Sequence, residues 1–140
     1  MKNILIVSAT SGNNYKLAQE LESLIKSKEI NYNLIKLDDY SIPLYHPKVE
    51  ATTKSDDIIK LDKLFQSADG FVFCAPEYNG SIPPILVNVI SWISVKTSNW
   101  RGAFNGKSGL ICTHSGGTGN NFKSSLRIQL NHLGVIVLPR

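Results

Sequence analysis

The run Ser8-Ala9-Thr10-Ser11-Gly12-Asn13-Asn14 consists almost wholly of hydroxyl, amide and glycine residues. Hydroxyls at Ser8, Thr10 and Ser11 and amides at Asn13 and Asn14 supply hydrogen-bond donors without charge, which suits a phosphate held by neutral groups. A second stretch, Pro76-Glu77-Tyr78-Asn79-Gly80, joins backbone amides set by a proline and a glycine to an aromatic ring and an amide side chain. That combination fits a flat, polar-edged ring system. A third, His114-Ser115-Gly116-Gly117-Thr118-Gly119, allows backbone to approach a flat ligand. No catalytic residue and no metal ligand is assigned in these stretches. His114 can exchange protons, and Glu77 is equally suited to an ion pair with a helix as to tuning a bound ring.

Each stretch must be placed by the elements around it. Ile4 to Val7 is a continuous β-branched apolar run, and after the polar loop Leu17, Ala18, Leu21, Leu24 and Ile25 recur at helical spacing to about Ser27. A strand, a small polar loop and a helix aim free N–H groups and the positive end of the helix dipole at whatever the loop encloses. A Walker loop would need lysine after Gly12, where Asn13 stands, and a dinucleotide fingerprint would need three glycines. Neither is present. A plain serine-rich helix cap is the competing reading of this loop.

Further strands are expected at Tyr32 to Leu37, Gly70 to Ala75, Ser108 to Thr113 and Val135 to Leu138. Helices are expected after Ser55 to about Ser67, with Ile58, Ile59, Leu61, Leu64 and Phe65 on the apolar side, from about Pro83 to Ser94, and from about Asn121 to His132. Asp38 and Asp39 read as solvated turn residues. Tyr40 to Thr53 is a long connection in which His46 could border a pocket or lie exposed. Trp100, Arg101 and Phe104 fall in a short glycine-containing loop. The alternation of strands and helices predicts one α/β domain over residues 1–140.

The chain has 140 residues, 42% hydrophobic and 19% charged, with a net charge of +4. Its lysines are scattered, which argues against nucleic-acid binding, while a mild positive field favours anionic small molecules. The opening apolar run is too short for a secretory signal, and no stretch approaches the roughly 18 apolar residues of a membrane span. A cytoplasmic protein without a membrane partner is expected. Cys74 and Cys112 lie in apolar strands and read as buried free thiols, with a disulfide or a catalytic cysteine as the alternative.

Pro76, Glu77, Tyr78, Asn79, Ser81, Pro83, Leu86, Asn88 and Trp92 fall in register with the signature of the NADPH-dependent FMN reductase-like family, which this chain resembles. Its members include quinone, azo-dye and chromate reductases of flavodoxin fold. Pro84, Val87 and Ser91 depart from the family's glycine, lysine and frequent acidic residue. The first loop resembles a flavodoxin-type FMN phosphate loop, shorter than the family's usual one and without its arginine. Ser115, Gly116 and Gly117 match the family turn that approaches the flavin.

The resemblance implies a flavodoxin-like three-layer α/β/α sandwich around a five-stranded parallel sheet of order 2-1-3-4-5. FMN would place its phosphate at Ser8 to Asn14, its ring against Pro76 to Gly80, and its other edge near Ser115 to Gly117. NADPH or NADH would be the co-substrate, and a quinone, azo compound, metal oxyanion or free flavin the acceptor. The alternatives are a flavodoxin-like electron carrier, which the positive charge disfavours, and a truncated, non-catalytic flavin-binding member. The helix after Pro83 is apolar on more than one face, so it is either buried by its own domain or part of a homodimer or homotetramer contact. Right-handed crossovers place the first helix alone on one face of such a sheet. A helix about 10 Å wide covers about two strands at 4.8 Å spacing, so most of that face is expected to be bare. In the family a final helix fills it; here residues of the natural protein are lacking or a partner subunit covers the gap.

Overall fold

The computed structural model describes residues 2–26, 28–96 and 101–139; the expected helix end at Ser27 and Trp100 lie outside them. Strands β1 (Asn3–Ser8), β2 (Asn31–Lys36), β3 (Gly70–Cys74), β4 (Ser108–Cys112) and β5 (Ile136–Val137) form a parallel sheet. Its order is β2-β1-β3-β4-β5, the flavodoxin-like arrangement that the sequence predicts. Helices α1 (Asn13–Lys26), α2 (Pro47–Thr52), α3 (Asp56–Ser67), α4 (Pro84–Lys96) and α5 (Asn120–His132) connect them.

β3 reads GFVFC and is buried along its whole length, as a central strand covered on both faces must be. On one face α3, α4 and α5 enclose the main core. Phe65, Phe71, Phe73 and Phe104 meet there with ring centroids 5.5–6.4 Å apart. On the other face α1 sits alone, with Ala18 buried and Leu17, Leu21 and Ile25 packed over Ile6, Val72 and Cys74. Leu110 and Cys112, apolar side chains of an inner strand, are only half-buried on this side. The sparse covering inferred from crossover handedness is therefore present among the described residues.

Several boundaries and faces differ from expectation. Leu24 is 68% exposed and Ile59 48%, because the apolar stripe of each helix is narrower than its run of apolar residues. α5 begins at Asn120, and β5 keeps two residues of the expected four-residue strand. The 40–53 connection contains α2, started by Pro47 and capped by His46, whose Nδ1 accepts from the Lys48 amide at 3.1 Å. Ser55 caps α3 as expected, accepting from the Ile58 amide. Among the described residues no helix is long and apolar enough to cross a membrane.

Candidate functional site

The loops after β1, β3 and β4 leave the sheet at one edge, since parallel strands end on the same side. Between them lies a cleft of about 420 Å³ lined by Thr10, Ser11, Asn13, Asn14, Pro76, Glu77, Tyr78, His114, Ser115 and Gly116. A cleft at the carboxyl edge of an open sheet is where α/β folds bind ligands, and its volume is within the usual range for small-molecule sites.

Hydrogen bonds show which side chains build the cleft and which remain available to it. The buried Ser8 hydroxyl donates to the Thr10 carbonyl at 2.7 Å and shapes the loop from within. Ser11 donates its amide and its hydroxyl to the Asp38 carboxylate, which lies beyond the end of the neighbouring strand β2. Burial pushes the Asp38 carboxyl up, but the two Ser11 hydrogen bonds and Lys36 outweigh it and hold it below its ordinary range. Asp38 thus anchors the loop that the sequence reading assigned to a phosphate, a role hidden by its appearance as a turn residue.

Asn14 is buried and clamps the first loop to the third. Its amide donates to the His114 carbonyl at 2.9 Å, and its oxygen accepts from the His114 amide at 2.8 Å. Thr10 and Asn13, in contrast, line the cleft without a side-chain hydrogen bond among the described residues. Asn13 is the first residue of α1 and Thr10 lies in the loop just ahead of it, at the end of the helix whose dipole favours an anion.

The second turn is a small hairpin. Tyr78 and Ser81 exchange backbone hydrogen bonds of 3.1 and 2.9 Å, with Asn79 at φ 50° and Gly80 at φ 68° between them. Both central residues are left-handed, the backbone of a type I′ turn, and Asn-Gly is its favoured pair. Asn79 and Gly80 therefore set the turn and lie outside the cleft lining, whereas Pro76, Glu77 and Tyr78 line it. Glu77 accepts from the Phe122 amide at 2.9 Å and caps the first turn of α5, while its own amide donates to the Ser115 hydroxyl at 2.9 Å. The Ser115 hydroxyl also meets that of Thr113 at 2.9 Å. Glu77 and Ser115 thereby bind the second loop to the third.

In the third loop, a Cβ added at Gly116 or Gly117 would meet nothing within 4 Å. Gly116 lines the cleft and Gly117 does not. Ser8 and Gly12 also lie outside the lining; Gly12 turns the chain at φ 84° just ahead of α1. Two residues of the signature work elsewhere. Asn88 accepts from the Tyr45 amide at 2.7 Å and donates to the Pro43 carbonyl at 3.0 Å, and the Trp92 indole donates to the same carbonyl at 2.8 Å. They staple the 42–46 loop onto α4, so most of that helix's apolar surplus is covered by its own chain.

A sequence model of the family described as NADPH-dependent FMN reductase matches residues 1–140. Among known relatives, the FMN-dependent NADH:quinone oxidoreductase of Caldicellulosiruptor bescii is 34% identical over 85 residues, or 58% of this chain and 42% of that protein. An NAD(P)H-dependent FMN reductase of Schizosaccharomyces pombe is 38% identical over 72 residues, or 51% of this chain and 32% of that protein. The matched segments span less than half the length of these curated relatives. Among solved structures, the flavoenzyme NAD(P)H:(acceptor) oxidoreductase of Paracoccus denitrificans aligns with a TM-score of 0.81 at 20% identity, covering 99% of this chain and 76% of that one. An azoreductase from Bacillus anthracis aligns at 0.74 and 15% identity, covering 98% and 85%. These likenesses are of fold. The sequence match, which extends from the first loop to the last strand, shows that the chain belongs to the NADPH-dependent FMN reductase family.

Proposed function

We propose that residues 1–140 form one FMN-binding domain of an NAD(P)H-dependent reductase that passes electrons from a nicotinamide to a small-molecule acceptor. The observation that carries this reading is the cleft itself. It is enclosed by three cross-linked loops, has uncommitted donors of Thr10 and Asn13 at the start of α1, and has open space over Gly116. Those features fit a phosphate at one end and a flat ring at the other. The quinone and flavin named for the relatives support a quinone or free flavin as acceptor, and azo compounds and metal oxyanions remain further candidates of this reading.

FMN, when bound, supplies the hydride and electron-transfer chemistry. The protein's part is to bind and orient. Thr10, Asn13 and the backbone around Gly12 would hold the phosphate by neutral donors and the dipole of α1. Pro76 to Tyr78 and Ser115 to Gly116 would border the ring. Asn14, Glu77 and Ser115 keep the loops in register, so the groups facing the ligand need no reorganisation when it enters. Association of copies into a homodimer or homotetramer is also part of this reading. It is supported by Leu44, 80% exposed beside Ile42, Pro84 and Ile85.

The test is an absorption spectrum of the protein after incubation with FMN and desalting, followed by NADPH or NADH without oxygen. A retained flavin band that bleaches supports the reductase. A retained band that does not bleach favours the electron carrier, and no retained band overturns flavin binding at this cleft.

A further inference from the structure

Cys74 and Cys112 are direct partners in the β3–β4 register, and their side chains lie on the same face of the sheet, among Ile6, Ala18 and Val72. Both are free thiols, Cys74 fully buried and Cys112 half-buried. Neighbouring strands lie about 4.8 Å apart, within the Cα separations of roughly 4.4–6.8 Å that a disulfide spans. Both side chains leave the same face of the sheet, so side-chain rotation with a small approach of the two strands brings the sulfurs to bonding distance.

The pair is also asymmetric. The neighbouring Cys74 thiol lowers the Cys112 thiol from its ordinary value against the opposing effect of burial, while Cys112 and then burial push Cys74 up. A thiolate is the nucleophilic form, and of the two thiols Cys112 is the one that is not fully buried.

We propose that Cys74 and Cys112 are a peroxide-reactive dithiol that closes to a cross-strand disulfide beneath the cleft. The Cys112 thiolate attacks the peroxide, forming an S–O bond as the O–O bond breaks, and the departing oxygen takes a proton and leaves as water. The Cys74 sulfur then loses its proton and displaces the hydroxyl of Cys112 sulfenic acid; the S–S bond forms, the S–O bond breaks, and a second water leaves. Two thiols are oxidised by two electrons and one hydrogen peroxide is reduced to two waters. The product would strap together the strands that lead to Pro76 and Ser115. It is independent of the flavin reading, since neither sulfur lines the cleft.

The test treats the reduced full chain with hydrogen peroxide, quenches it, unfolds it and alkylates it before intact-mass and peptide analysis. The expected product has lost two hydrogens, carries no alkyl group, remains one chain on a non-reducing gel, and yields a dithiothreitol-sensitive link between the Cys74 and Cys112 peptides. In Cys74→Ser, checked for fold by circular dichroism, Cys112 should instead accumulate as sulfenic acid captured by dimedone; Cys74→Ala serves the same purpose if the serine variant misfolds. Recovery of both thiols in alkylated form, at a dose that oxidises glutathione in the same tube, would overturn the proposal. So would conversion of Cys112 to sulfinic acid with no link to Cys74.

Discussion

Ser11 and Asp38 are joined across 27 positions of sequence, and that separation explains why the contact was not legible in the letters. Two aspartates after a strand read as a solvated turn; only the β1–β2 register, which sets Ser8 opposite Lys36, brings Asp38 to the loop. Its carboxyl binds a proton less readily in the folded chain than at its ordinary value of 3.8. The contribution to stability is therefore complete above the unfolded value and is lost as pH falls through the lower folded one. Urea unfolding of the wild type should show stability declining below about pH 5, and Asp38→Asn should decline less steeply while losing about 0.5–1 kcal/mol at neutral pH. Equal acid slopes in the two proteins would remove Asp38 from this role. Gly116 gives the converse case. Because a side chain there meets open space, Gly116→Val should leave the thermal midpoint within about 2 °C yet weaken FMN binding roughly tenfold or more. Unchanged flavin titration would place the ring away from this loop. The Asn-Gly pair, by comparison, carries its left-handed turn in its residue types, although the sequence alone offered Asn79 as an amide facing a ring.

The helices illustrate how far periodicity reaches. α1 and α3 were legible from an apolar stripe at helical spacing, α4 from its apolar run and α5 from the glycine-rich turn that opens it, whereas α2 has no buried residue and no stripe to announce it. Asn88 and Trp92 were legible as signature residues but not in their function, since the loop that they staple has no pattern of its own. Asn88 satisfies the Tyr45 amide and one lone pair of the Pro43 carbonyl, and Trp92 meets the Tyr45 ring edge-on at 5.3 Å. Asn88→Ala leaves the Tyr45 amide unpaired at a half-buried site and should lower unfolding free energy by about 1–2 kcal/mol. Amide exchange should quicken within 42–46. FMN affinity should hold, because neither residue borders the cleft. A parallel loss of flavin affinity would show that the loop closes over the site.

The two faces of the sheet differ in a way that connection handedness already implied. Among the described residues α1 covers one side and α3, α4 and α5 the other, so apolar strand residues are sealed on one face and partly open on the other, where Ile4, Ile25, Val72, Leu110 and Leu138 line an almost wholly apolar depression. What covers that depression was not legible, because composition shows that a strand is apolar and not which partner meets it. Matched truncations on opposite faces make the difference measurable. Phe73→Ala removes a fully buried ring from the aromatic cluster and should cost about 3–5 kcal/mol. Leu110→Ala removes a half-buried side chain and should cost about 1 kcal/mol in the monomer, in proportion to the area already in water. The comparison is made by urea unfolding at two protein concentrations, with light scattering to give the mass. If Leu110→Ala proves as costly as a core truncation, and the cost grows with concentration, copies of the chain cover this face. If the cost stays small and constant, the depression faces solvent, and the proposed association would use the Leu44 side of α4 instead.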